Sequence, residues 1–231
     1  MKSPVVHSLA PIALIGGGNV GPDDLSLALK IAPTCVAADG GANVAVAAGI
    51  IPAAVIGDFD SVTSDTLSKI PVDRHHHIVE QNSTDFDKCL RNISAPVVIA
   101  VGFSGARIDH QMGALHTLVV RSERPCIILG PEEIVFHCPP HITIPTLEGE
   151  TVSLFPMSEI TGKSTGLEWP IDGLVFSPNR QIGTLNRAYG EVTLAMSGPG
   201  MLCIVPRRLI GAITQVLASL PVHETWPVPE E

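Results

Sequence analysis

Basic residues are scarce in this chain. It carries 14 Lys and Arg against 23 Asp and Glu, a formal net charge of -9, whereas a nucleic acid needs a basic face to neutralise its phosphates. A nucleic-acid partner is therefore not expected. Long apolar runs are missing as well. Gly, Pro or a charge interrupts each within about 15 residues, short of the ~20 that cross a bilayer, so no membrane span is expected. Cysteine is sparse and shows no paired spacing. Cys35, Cys89, Cys126, Cys138 and Cys203 are odd in number and mostly sit inside apolar runs, the usage of reduced core thiols in a cytoplasmic protein and not of a disulfide frame or zinc site. The start, Met1-Lys2-Ser3-Pro4, has one Lys and leads straight into a plausible strand, unlike a secretory signal. What the chain does have is core material. Hydrophobic residues make up 45% and charged residues only 16% of 231 positions, enough for one large folded domain or two smaller ones. The acidic balance still allows a phosphorylated small molecule whose charge is met by a metal, with carboxylates as the ligands.

The first half repeats one pattern: strand, glycine turn, helix. Ile12 to Ile15 read as a strand, followed by Gly16-Gly17-Gly18-Asn19-Val20-Gly21-Pro22 and then Leu25, Ala28, Leu29 and Ala32 at helical spacing. Thr34 to Ala38 form the next strand, ending in Asp39-Gly40-Gly41-Ala42-Asn43 before an alanine-rich helix. This predicts a parallel sheet with right-handed crossovers. Gly16, Gly18 and Gly21 also satisfy G-x-G-x-x-G with Asp39 ending the second strand, the dinucleotide-binding pattern. Against that reading, Pro22 places the helix start after Gly21 instead of before it.

The chemistry concentrates at Val55-Ile56-Gly57-Asp58-Phe59-Asp60-Ser61. An apolar strand breaks at Gly57, expected to turn the backbone, and sets two carboxylates at the carboxyl edge of the sheet, where open α/β folds bind ligands. Two acidic groups so close suit a divalent metal carrying phosphate oxygens; the bland alternative is a solvated polar loop. Arg74-His75-His76-His77 reads as a polar strand entry, since neighbouring side chains of an extended chain point to opposite faces and cannot all hold one ion. In Thr84-Asp85-Phe86-Asp87-Lys88-Cys89-Leu90, Thr84 caps a helix whose buried face is Phe86, Cys89, Leu90 and Ile93. Asp85 and Lys88 share another face, either as a surface ion pair or as a carboxylate and an ammonium offered to phosphates. Val97 to Val101 form a central strand ending in a glycine turn with Arg107 and Asp109, and arginine suits bidentate phosphate contact. Cys126 to Leu129 read as the last strand of this domain, with a boundary at Gly130-Pro131-Glu132-Glu133. Beyond it, short strands with Pro and Gly punctuation and scarcely any helix predict a β-sandwich. There Trp169, beside a turn, reads equally as core or as a ligand platform. The tail from Pro221 is proline-rich and reads as extended.

Together, Ala38-Asp39-Gly40-Gly41-Ala42-Asn43, Ile56 to Ser61, Thr84 to Leu90 and Arg107-Ile108-Asp109-His110 resemble the thiamine pyrophosphokinase family, and Gly166-Leu167-Glu168-Trp169 with Asn186 extends the likeness over nearly the whole chain. The resemblance implies a parallel-sheet three-layer α/β catalytic domain over 1–130, a thiamine-binding β-sandwich over 134–221, an extended tail over 222–231, and a homodimer with active sites between subunits. It implies ATP and Mg2+, with diphosphate passed to the hydroxyethyl oxygen of thiamine and AMP released. Carried over by position, Asp58, Asp60, Asp85, Arg107 and Asp109 would be catalytic, with Asp58, Asp60 and Asp85 holding metal. Asp39, Gly40, Ser61, Thr84 and Lys88 would bind nucleotide, and Trp169 and Asn186 would face the vitamin.

The chain departs from the family pattern at three places. Asn82 stands where aspartate is common, Leu185 replaces a serine before Asn186, and Gly113-Ala114-Leu115 lacks the asparagine that follows Asp-His. Leu185 motivates a second reading, a diphosphokinase of another alcohol such as a hydroxymethylpterin. A non-catalytic sensor of thiamine diphosphate or nucleotide is a third, although a sensor has no need of five acidic positions.

Overall fold

The computed structural model describes residues 4–105, 107–221 and 225–227. Most of the expected extended tail, 222–224 and 228–231, lies outside the described residues. Packing divides the chain into two compact units, Met1–Thr117 and Leu118–Glu231.

In chain order the first unit holds β1 (Val6–His7), β2 (Ile12–Ile15), α1 (Asp24–Ile31), β3 (Thr34–Ala38), α2 (Gly41–Ala47), β4 (Ala54–Gly57), α3 (Ser64–Ser68), β5 (His75–His77), α4 (Asp85–Asn92), β6 (Ile93–Ser94) and β7 (Val98–Val101), and then α5 (Ile108–Val120) begins. The strands run side by side in the order β7-β2-β3-β4-β5, each neighbouring pair parallel. Strands flanked on both sides must be apolar along their whole length. That is what β2, β4 and β7 show, since every residue in them is buried. Each fully buried Ile, Leu or Val contributes about 1.5–3 kcal/mol. The register pairs Ile15 with Val101 and Ala37, and Ala38 with Ile56, so the loops after β2, β3, β4 and β7 all leave from one edge. As expected, β5 is a polar strand at the end of this row.

Two glycines set the spacing at that edge. A side chain on Gly41 would stand 1.9 Å from the Ile15 carbonyl oxygen, and one on Gly57 would stand 2.7 Å from Asp39 Cβ. Gly57 was expected to make the turn after β4, and it does not. It belongs to the strand and leaves room for Asp39, while the turn is made by Phe59 at φ 64°, with Asp39 itself at φ 40°.

The second unit holds β8 (Cys126–Leu129), β9 (Glu133–His137), β10 (His141–Ile144), β11 (Thr151–Pro156), β12 (Ile160–Leu167), β13 (Val175–Phe176), β14 (Gly183–Met196), β15 (Met201–Pro206) and α6 (Ile210–Ser219). These strands pair with one another antiparallel among the described residues. β14 is long enough to serve two groups of strands: its first part pairs with β11, and its later part with β10 and β12. β8 pairs antiparallel with β9. The expectation of scarcely any helix fails. α6 buries Ile210, Ile213, Thr214 and Leu217, which recur at the three- and four-residue steps of one helix face.

Candidate active site

The site grows from the turn Asp58-Phe59-Asp60-Ser61. Asp39, 2% exposed at the end of β3, accepts hydrogen bonds from the Ser61 N–H at 3.0 Å and the Val62 N–H at 3.4 Å. The turn is thereby buckled to the neighbouring strand. Asn43 adds a second hold: its amide donates to the Ser61 carbonyl at 3.0 Å and accepts from the Thr63 N–H at 3.1 Å. Ser61 Oγ donates to Asp60 Oδ1 at 2.7 Å. The result is a compact acidic group, with carboxylate oxygens of Asp39, Asp58 and Asp60 within 4.8 Å of one another.

α4 brings the balancing charge. Thr84 caps it, accepting from the Asp87 N–H at 3.2 Å. Lys88 is 1% exposed, and its Nζ donates to Asp58 Oδ2 at 3.1 Å and to Asp85 Oδ1 at 3.0 Å. The expected surface pair of Asp85 and Lys88 is therefore an interior clamp joining two motifs. A buried ammonium is tolerated only when so paired, and removal of one partner of such a pair costs about 3–5 kcal/mol. Burial works against charge on Lys88, but the two carboxylates outweigh it and hold the ammonium above its ordinary pKa. For Asp58, burial pushes the carboxyl up and Lys88 pulls it down more strongly, with help from the Asp60 N–H and Gln81, so that it ends below the usual range. Asp39 moves the other way. Burial raises it, and Asp60 and Asp85 add to the rise against the backbone donors. One acid at the site is thus shifted up and another down, each by its own surroundings.

A cavity of about 540 Å3 opens over this group, within the first unit. Asp39, Gly40, Asp58 and Ser61 line it together with Thr84, Asp85, Lys88 and Arg107. The glycine loop Gly16-Gly17-Gly18 supplies another wall, beside Phe103. Asp60 and Asp109 are not among the lining residues. Asp60 joins through the acidic group, whereas Asp109 is held by Arg107, whose Nε and Nη2 donate to it at 3.1 and 2.5 Å. That bidentate hydrogen bond pulls the Asp109 carboxyl down to about 2. Both side chains are mostly exposed.

Residues 25–129 match the model of the thiamin pyrophosphokinase catalytic domain. Thiamine pyrophosphokinase 3 of Oryza sativa subsp. japonica is 28% identical over 166 residues, 62% of this chain and 61% of the relative. Thiamine pyrophosphokinase 1 of Arabidopsis thaliana is 26% identical over 188 residues, 71% of this chain and 68% of the relative. Thiamin pyrophosphokinase from Candida albicans superposes with a TM-score of 0.71 at 17% identity, over 89% of this chain and 95% of that one. The enzyme from Geobacillus thermodenitrificans does so with a TM-score of 0.70 at 24% identity, over 85% and 96%.

The likeness throughout is to the thiamine pyrophosphokinase family, whose catalytic-domain model matches somewhat under half of this chain. The chain spans 61% of the length of the rice relative, and the structural likenesses, at these identities, speak for the shared fold.

In the second unit two of the expected site residues, Trp169 and Asn186, are joined by hydrogen bonds. Asn186 is 7% exposed, and both ends of its amide bond backbone groups. Its Oδ1 accepts from the Trp169 N–H at 3.1 Å and the Arg187 N–H at 2.9 Å, and its Nδ2 donates to the Trp169 carbonyl at 2.7 Å. Asn186 thus holds the backbone of Trp169 in place. The Trp169 ring is 54% exposed, which removes the reading of it as a core residue of this unit. Leu185 is 73% exposed at φ 63°, with its N–H donating to Ser153 Oγ at 2.9 Å. Sequence reasoning missed Gln81, whose amide donates to Asp58 Oδ2 at 3.3 Å, and the cavity residues Phe103, His110 and Gln111. Gln81 had a usable signal, three residues before the helix cap; Phe103 lies in the turn after β7, and His110 and Gln111 lie in the first turn of α5.

Proposed function

We propose that this protein is a thiamine pyrophosphokinase, transferring diphosphate from ATP to the hydroxyethyl oxygen of thiamine and releasing AMP. The observation that carries the reading is the acidic group of Asp39, Asp58 and Asp60 clamped to Lys88 at the mouth of a cavity, inside the segment that matches the catalytic domain. The end of that match at residue 129 supports a catalytic domain over 1–130, with a sandwich over 134–221 built on β14.

The donor set suits Mg2+, a hard cation that takes carboxylate oxygens and keeps several waters. Asp58 and Asp60 would hold it, with Asp85 or Asp39 completing the set. When bound it neutralises charge on the phosphates. The side chains supply the rest. Attack of an alcohol on the β-phosphorus needs alignment and charge balance more than covalent help. Lys88 favours the ionised form of Asp58 and holds Asp58 and Asp85 at fixed separation. Arg107, exposed at the cavity wall, offers a fork-shaped cation to phosphate oxygens. Asp39, whose two carboxylate oxygens accept the Ser61 and Val62 N–H groups, holds the turn against β3. In the second unit Trp169 presents a flat aromatic face, a natural partner of a cationic thiazolium.

We also propose a homodimer, supported by the exposed Trp169, Leu185 and Tyr189 of the second unit, and a cytoplasmic location, supported by five buried free cysteines. No helix among the described residues is long and apolar enough to cross a membrane. Incubation of the purified protein with ATP and Mg2+ tests the reading, with thiamine, a hydroxymethylpterin or no acceptor in parallel. AMP with thiamine diphosphate in the first arm alone is the expected result. Turnover only with the pterin moves the activity to that alcohol, and silence in every arm favours the sensor.

A further inference from the structure

The run His75-His76-His77 is left unexplained by the chemistry above, yet its last member touches the acidic turn in two ways. The His77 ring stacks on Phe59, with centroids 5.0 Å apart and planes 21° from parallel. Its Nε2 lies 2.8 Å from the Asp58 carbonyl oxygen. A carbonyl can only accept, so Nε2 carries the hydrogen and the ring is held as that tautomer. Phe59 needs such support. It sits at φ 64°, a left-handed conformation that costs a non-glycine residue free energy and persists only where the surroundings enforce it. On one side the Phe59 ring packs against the cluster of Ala37, Ala42, Val55, Val62 and Ile70. On the other it meets His77 face to face and His75 edge-on at 6.1 Å. His75 is fixed in turn by a 3.1 Å hydrogen bond from Nε2 to the Ile70 carbonyl.

We infer that His77 is a positioning residue for the acidic turn: its stack on Phe59 and its hydrogen bond to the Asp58 backbone hold the two aspartates in the spacing that binds a divalent cation. The register explains why this position can do so. His77 lies opposite Gly57 on the neighbouring strand, level with the start of the turn, while its own ring is exposed and contributes little to the core. The inference rests on the proposed metal site, and it predicts that the ring governs cation affinity without governing the fold.

The test uses the full chain and Mn2+ as a paramagnetic probe, with binding followed by electron paramagnetic resonance alongside the thermal midpoint and the kcat and KM of turnover. Wild type, His77→Ala, His77→Phe, His77→Gln and Asp58→Asn are compared. His77→Ala, which removes stack and donor together, is expected to weaken Mn2+ binding about tenfold or more, the size of one neutral hydrogen bond plus an aromatic contact. His77→Phe keeps the stack and His77→Gln keeps a donor, so each is expected to fall between the two, with wild-type folding. The loss should appear in the cation dependence of turnover and leave KM for the alcohol in place, a split that a general loosening of the edge strand would not give. Wild-type Mn2+ affinity in His77→Ala overturns the inference. If His77→Ala fails to fold, wild-type affinity in both His77→Phe and His77→Gln overturns it equally. Asp58→Asn separates the two levels: wild-type affinity in that variant overturns the metal site itself, whereas loss there with none in the His77 variants overturns only the role of His77.

Discussion

At the end of β4, Asp58 lines a cavity and Asp60 stands exposed beside it, whereas near the start of β14 the amide of Asn186 is taken up at both ends by the backbone of Trp169 and Arg187. The residues of both places belong to motifs that suggest chemistry, but only the first leaves polar atoms facing a ligand-sized space. The energetics differ accordingly. In the acidic turn, like charges are crowded together, a phenylalanine is held left-handed, and one buried lysine keeps the arrangement from flying apart. In the second unit the polar group serves the fold, and what it presents outward is apolar: Trp169 and Leu185. A residue type names a possible chemistry, and its hydrogen-bond partners decide whether that chemistry is available.

The sharpest way to break this contrast is to neutralise the turn. Asp58→Asn and Asp60→Asn should each lower kcat by several hundredfold, about 3 to 4 kcal/mol, as expected when a group aimed at transition-state charge is removed. The thermal midpoint of Asp60→Asn should stay near wild type, because that side chain is exposed, whereas Asp58→Asn should also lose stability, since it removes one of the two carboxylates that pair the buried Lys88. Near-normal kcat at saturating Mg2+ in either variant would remove the contrast.

Acid should act on the second unit through a different residue. Burial pulls His137 from 6.5 down to about 4, and its Nε2 accepts from the Gly200 N–H at 2.8 Å. The folded-state pKa is depressed, so the unfolded chain takes up the proton first. The stability is therefore complete above pH 6.5 and lost as pH falls toward 4, a loss of up to about 3 kcal/mol. Urea unfolding across that window should show the decline, and His137→Gln should flatten it. An unchanged slope in the variant would assign the acid sensitivity elsewhere.

Asn186→Leu should cost about 2 kcal/mol of stability, since it leaves the N–H groups of Trp169 and Arg187 without their acceptor. Asn186→Asp keeps the acceptor but sets a buried carboxylate against the Trp169 carbonyl, so it should be no milder. A loss well under about 1 kcal/mol in Asn186→Leu would mean that the amide is not the clip it looks to be. The smallest effect is expected at Leu185. Asn tolerates a left-handed backbone better than Leu, so Leu185→Asn should raise stability by about 0.5 kcal/mol and leave kcat alone. A destabilised variant would show that the exposed leucine packs against something.

Much of the first unit was legible in the residues. Val, Ile and Ala runs ending in Gly and Asp announced parallel strands with ligand loops at one edge, and Thr84 before Phe86, Cys89 and Leu90 announced α4 with its cap. What could not be read was which element makes the turn. The sequence offers Gly57 for it, but the glycine is needed so that Asp39 can approach, and the strain falls on Phe59. Nor could spacing reveal that Lys88 reaches Asp58, thirty positions away and on another element. The second unit hid more. Helix α6 is rich in β-branched residues, so its composition suggests a strand while its three- and four-residue spacing of Ile210, Ile213, Thr214 and Leu217 states a helix.

The most direct test of the acidic turn as a diphosphate-transfer site is the fate of label from ATP carrying 32P at the β-phosphorus, followed in wild type and Asp58→Asn with thiamine and Mg2+. Label appearing in thiamine diphosphate in step with AMP, and lost in Asp58→Asn, is the predicted result. ADP as the product, or labelled thiamine diphosphate formed equally well by Asp58→Asn, would contradict it.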